Sequence, residues 1–163
     1  MSFLAVEPAT SINTEPPVSA VVENDGFYVD IYLSQMRDAV RLDGTVTDVR
    51  LRQAVIAAIL HVNKELRDWK LKQVDAGYVT LAAVPAEHID RESILIAHYR
   101  RAVYCTAKAD LIERYRDYDS TASSLSDKKM MEALDNAPGE QRRNAHWAIA
   151  DIIDRAHLTV ELI

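Results

Sequence analysis

Apolar positions recur along most of this chain with the period of a helix. The clearest stretch follows Thr47, where Leu51, Val55, Ile59, Val62, Leu66 and Trp69 come at spacings of four, four, three, four and three. Such spacing draws one apolar stripe along a helix face. Thr47 is a candidate N-cap, because its hydroxyl can accept an orphan N–H, and Asp48 sits well against the positive end of the helix dipole. Gly77 supplies a stop that tolerates positive φ. A shorter helix is expected over 30–41, after the apolar Phe27-Tyr28-Val29, ending near Asp43-Gly44. Another is expected from Asp90, as its cap, to about Tyr118. It carries Ile96, Tyr99, Val103, Ala107 and Leu111 on one face. The small residues Ala102, Thr106 and Ala109 lie beside them, where a second helix can approach closely.

Between these helices, residues 78–90 read as a connector containing Leu81, Val84, Pro85 and Ile89. Residues 119–124 read as a polar loop and 127–136 as a helix, interrupted or kinked at Pro138-Gly139. A last helix is expected over 140–157, with Trp147, Ile149, Ile152 and Ile153. The fold class is therefore all-α: a helical bundle of about four to five helices, with an extended N-terminal arm and a short β-like C-terminal tail.

The two ends depart from the helical pattern. Residues 1–26 carry Pro8, Pro16 and Pro17 and end in the turn signal Asn24-Asp25-Gly26. The prolines disfavour helix, yet a solvated tail has little use for Phe3, Leu4, Ile12, Val18 and Val21. This segment is expected to be an arm that orders against a partner. Residues 158–163 are apolar and rich in β-branched side chains, too short for a stable sheet alone, and suited to pairing with a neighbouring subunit. The chain divides into an arm (1–26), a helical domain (27–157) and a tail (158–163). The candidate partner contacts are Phe3, Leu4, Ile12, Val18, Val21, Phe27, Tyr28, Leu158, Val160, Leu162 and Ile163.

Composition narrows the function classes. At 163 residues and 48% apolar, the chain can build one core without disulfides, and four glycines are few for a many-turned all-β fold. A net charge of −6, with basic residues interleaved among acidic ones, opposes the basic footprint of a nucleic-acid binder. The single cysteine excludes an internal disulfide or a multi-cysteine zinc site. No apolar run is long enough to span a membrane, and the first residues lack a signal-peptide pattern, so synthesis in a reducing cytoplasm is expected.

Catalytic chemistry finds little footing. The four glycines are isolated, so no phosphate-cradling loop is present. Among His61, His88, His98, His146 and His157, the nearest approach to a ligand pair is His88 with Asp90, in the connector. Cys105 reads as a small buried hydrophobe rather than a nucleophile. The pairs Asp110/Glu113 and Asp151/Asp154 share helix faces but alternate with arginines, as a solvated face does. No catalytic residue, metal ligand or cofactor is expected.

Ala76-Gly77-Tyr78, Leu81, Val84-Pro85-Ala86, Ile89-Asp90 and Glu92-Ser93 resemble the central signature of GPL-type head completion proteins, from temperate phages with contractile tails. The likeness continues through Tyr99, Arg101-Ala102-Val103, Ala107, Leu111, Glu113-Arg114-Tyr115-Arg116, Asp127-Lys128-Lys129, Trp147-Ala148 and Ile152. It rests on the order of these positions over residues 45–163, since no single one is diagnostic. The resemblance implies a virion subunit of the head–tail connector, or neck. Such a subunit forms a homo-oligomeric ring, typically a dodecamer, beneath the portal protein. It completes and stabilises the DNA-filled head and offers a docking platform to a tail terminator or tail completion protein. Packaged DNA would pass it with only passive contact. A small helical DNA-packaging regulator, or terminase-associated DNA-binding subunit, is the alternative, and it calls for a basic recognition helix.

Overall fold

The computed structural model describes residues 20–40, 42, 46–119 and 137–157. Five α-helices carry most of the described residues: α1 (Leu33–Val40), α2 (Asp48–Glu65), α3 (Arg67–Asp75), α4 (Ile94–Asp119) and α5 (Ala137–Ile152). Helix α4 is the centre of the bundle, packed against α2 on one side and against α5 over most of that helix's length. The α4–α5 pair is antiparallel, as its side-chain links show: His98 to Asp151 near one end, Arg142 to Glu113 near the other.

The expected stripe of α2 faces the core, with Leu51, Val55 and Val62 wholly buried. Each such side chain contributes roughly 1.5–3 kcal/mol through removal from water. The Thr47 hydroxyl accepts the Arg50 N–H at 3.4 Å, a long cap bond. The helix expected to run unbroken to Gly77 instead breaks at Leu66, whose φ of −89° and ψ of 3° lie outside helical geometry. The break leaves Leu66 fully buried and brings the Trp69 ring edge-on to Phe27, with centroids 6.4 Å apart. Gly77, at φ +97°, ends α3 as expected, and the Tyr78 N–H returns to the Gln73 carbonyl at 3.0 Å.

The chain is not purely helical. Among the described residues there are two short antiparallel sheets: β1 (Val21–Val22) with β2 (Ile31–Tyr32), and β3 (His88–Ile89) with β4 (Glu92–Ser93). The first pair corrects the start of α1, because Ile31 and Tyr32 join a strand before the helix begins at Leu33. The second corrects the role of Asp90. With φ of +51° at Asp90 and +63° at Arg91, these two residues form the hairpin turn, and α4 begins at Ile94. The Leu81 N–H, in a 3-10 turn over Leu81–Ala83, donates to the Phe27 carbonyl at 2.8 Å, tying the connector to the N-terminal segment.

Helix α4 buries Ile96, Tyr99, Val103, Ala107 and Leu111, and its small residues Ala102 and Ala109 are buried as well. The last helix begins at Ala137 rather than 140, so it includes Pro138. Pro138 stands in the first turn of α5, where a missing N–H is harmless. Helix α5 ends at Ile152 rather than 157, because Asp154 adopts φ +54° and the Arg155 N–H closes back on the Ala150 carbonyl at 2.9 Å. The expected loop at 119–124 lies outside the described residues apart from Asp119, which ends α4. The expected helix at 127–136 and tail at 158–163 lie wholly outside them.

Candidate interaction surface

Residues 20–26, the root of the expected arm, are bound to the helical body. Val22 is buried, and the Arg52 guanidinium donates to the Val21 carbonyl at 2.7 Å. At the following turn, the Asp25 carboxylate accepts the N–H groups of Phe27 and Tyr28 at 3.1 and 3.2 Å, and Lys70 lies 2.7 Å from its other oxygen. Burial pushes the Asp25 carboxyl up. The bonds from Lys70, Tyr28 and Phe27 together outweigh that and hold it below its ordinary value of 3.8.

A closed ring of hydrogen bonds fixes this turn against α2 and α4. The Asn24 amide donates to the Tyr99 hydroxyl at 2.8 Å and to the Val29 carbonyl at 3.0 Å. Tyr99 donates to the Asn63 carbonyl oxygen at 2.6 Å, and the Asn63 amide donates back to Asn24 at 3.0 Å. Tyr99 is fully buried and stacks on Tyr28, with centroids 4.5 Å apart and rings 6° from parallel. Burial pushes both phenols well above their ordinary value, so each keeps its proton. No sequence pattern pairs Asn24 with Asn63. Only the turn signal at Asn24 was visible in advance.

This anchoring leaves a shallow cleft between the Val22–Asp25 segment and α2, floored by Val22, Ile56, Ile59 and Leu60. Leu60 stands 67% exposed beside it, and Val49, on the same helix, is 53% exposed. Val49, Ile56 and Leu60 are spaced by seven and four residues, which at 3.6 residues per turn puts them in one narrow stripe. That stripe lies nearly opposite the buried Leu51–Val55–Val62 face. Val49 and Leu60 thus leave an exposed apolar edge on α2, while Ile56 between them is half-buried and packs against the core. Further exposed apolar side chains occur at Tyr32, Leu71, Val74, Val79 and Ile89.

The candidate contact residues separate into three groups. Phe27 and Tyr28 are buried in the chain's own core, because the turn at Asp25 folds them under Lys70, whose Nζ lies 5.4 Å and 5.6 Å from their ring centroids. They present no free surface. Val21 is half-buried in the β1–β2 ladder. Phe3, Leu4, Ile12, Val18, Leu158, Val160, Leu162 and Ile163 lie outside the described residues. The Val49–Ile56–Leu60 stripe was missed at the level of sequence, although its spacing was there to be counted.

The groups weighed for chemistry are dispersed. His88 places Nδ1 3.0 Å from the Ala86 carbonyl. Asp110 pairs with Arg114 and Glu113 with Arg142. Asp151 lies between His157, at 2.7 Å, and His98, at 3.5 Å, while Asp154 is in the exposed turn after α5. Cys105 is a buried free thiol, pushed up by burial against the opposing pull of Arg101 and Lys108. Among the described residues, no three His, Cys, Asp or Glu side chains converge to hold a metal. No described helix is long and apolar enough to cross a membrane.

The described residues form a helical body with exposed apolar side chains and dispersed titratable groups. Comparison with known families gives the class. The phage head completion protein (GPL) family matches residues 22–163, and the chain belongs to that family. It is 38% identical over 143 residues to the head completion/stabilization protein of Escherichia phage P2, covering 88% of this chain and 83% of the relative. It is 24% identical over 116 residues to the probable head completion/stabilization protein of Haemophilus phage HP1 (strain HP1c1), covering 64% of this chain and 77% of that one. No solved structure matches the chain significantly.

Proposed function

We propose that this chain is a non-enzymatic virion subunit of the neck, forming a ring below the portal. There it completes and stabilises the filled head and presents a platform to the tail. Membership of the head completion family carries the reading. The exposed apolar edge of α2 supports it, since a subunit surrounded by copies of itself needs surface to bury on more than one side. The net charge of −6 suits a ring through which DNA passes without adhering. The same charge disfavours the packaging-regulator alternative, which would need a basic face to grip duplex DNA.

Electron microscopy of purified virions carrying a label on this chain tests the proposal. The expected result is label in a ring between portal and tail. Complete virions without label at the neck would overturn it.

A further inference from the structure

The exposed Val49 and Leu60 of α2 border a shallow cleft, and the course of the chain beside it bears on what could cover them. Asn24 bonds Asn63 near the C-terminal end of α2, and Val21 receives Arg52 nearer its N-terminal end. Read backwards, the chain therefore runs antiparallel to α2 and heads past the N-terminal end of the helix. At Ala20, where the described residues begin, the backbone thus points away from the cleft at Ile56 and Leu60. That cleft stays open at the C-terminal end of the stripe.

We infer that the cleft and the stripe receive the N-terminal arm of a second copy of this chain, with Phe3-Leu4-Ala5-Val6 as the apolar segment that enters. This rests on the ring reading above and names one of its contacts. The lengths agree. From Ala20 back to Leu4 the chain can reach roughly 50 Å if extended, against a radius of gyration of roughly 15 Å for a compact domain of this length. The stripe, twelve residues of helix from Val49 to Leu60, is about 16 Å long and accommodates about five extended residues. Pro8, Pro16 and Pro17 disfavour helix before them, which favours reach over folding back. A contact that passes each arm to the next subunit is head-to-tail, the kind that closes a ring.

Cross-linking between full-length chains in assembled particles tests this. Buried Cys105 is replaced (Cys105→Ala), then Leu4→Cys is placed on one tagged chain and Leu60→Cys on another, and both are produced together. With one thiol per chain, only an intermolecular link can form. Mild oxidation is expected to give the mixed dimer at least about tenfold above a control with Val79→Cys, an exposed site off the stripe, because docking raises the effective thiol concentration. Particles that contain both chains but give no mixed dimer above the control would overturn the arm docking and leave the neck reading standing. A chain carrying both thiols that closes only on itself would also overturn it, in favour of the chain's own arm. Complete particles lacking both chains would overturn the neck reading and the docking with it.

Discussion

The two sides of α2 carry the same kind of side chain and have opposite fates. On the inner side, Leu51, Val55 and Val62 are removed from water by α4 and its neighbours. On the outer side, Val49 and Leu60 remain more than half exposed. Hydrophobic periodicity alone cannot distinguish them, because burial depends on what the rest of the chain brings to each side. The inner side is where folding stability resides. The exposed residues of the outer side, Val49 and Leu60, contribute little to the fold, and on the reading proposed above they are available for another chain.

Substitutions on the two sides should separate stability from assembly. Leu51→Ala, on the inner side, should lower unfolding free energy by about 2–5 kcal/mol in denaturant titrations, since it removes buried methylenes and leaves a cavity. Tyr99→Phe tests the ring that holds the cleft wall in place. Removing its hydroxyl strips a donor from Asn63 and an acceptor from Asn24, at a cost of about 1–3 kcal/mol. Amide exchange should quicken at residues 21–25 in the same variant. Thr47→Ala unfastens the start of α2 beneath both sides. With a cap bond of 3.4 Å the loss belongs at the low end of the usual range, about 0.5 kcal/mol by thermal unfolding.

The smallest effect is on pH. The Asp25 carboxyl is held below 3.8 in the folded chain, so its contribution is complete above that value and is lost as pH falls through the lower folded value. Its side chain is about a third exposed, so the loss is small. Asp25→Asn should flatten that part of the acid-unfolding curve, as followed by circular dichroism between neutral pH and strong acid.

Much of the fold was legible in the sequence, for reasons particular to each element. The inner stripe of α2, its Thr47 cap and the stop at Gly77 are local signals, readable from spacing and residue type. The small-residue positions Ala102 and Ala109 likewise announced close packing on α4. The misses came where distant residues decide. Leu66 carries no helix breaker, and α2 ends there because the bend buries Leu66 and brings Trp69 to Phe27. Ile31 and Tyr32 leave a helical pattern because Val21 and Val22 lie across from them. Asp90 looked like a helix cap and serves a hairpin turn, since both uses favour the same residue. The surface was least legible. Phe27 and Tyr28 looked suited to a partner until the Asp25 turn folded them inward, while Leu60 was passed over although it stands in the open.

The central claim is that the outer side of α2 serves assembly and not folding, and Leu60→Glu tests it when two quantities are measured on the same variant. Thermal unfolding should change little, by no more than about 0.5 kcal/mol, as for a surface position. The yield of complete particles should fall steeply. A large drop in Tm would place Leu60 among the residues that hold the fold, and an unchanged particle yield would show that nothing needs to cover it. Either result would contradict the account.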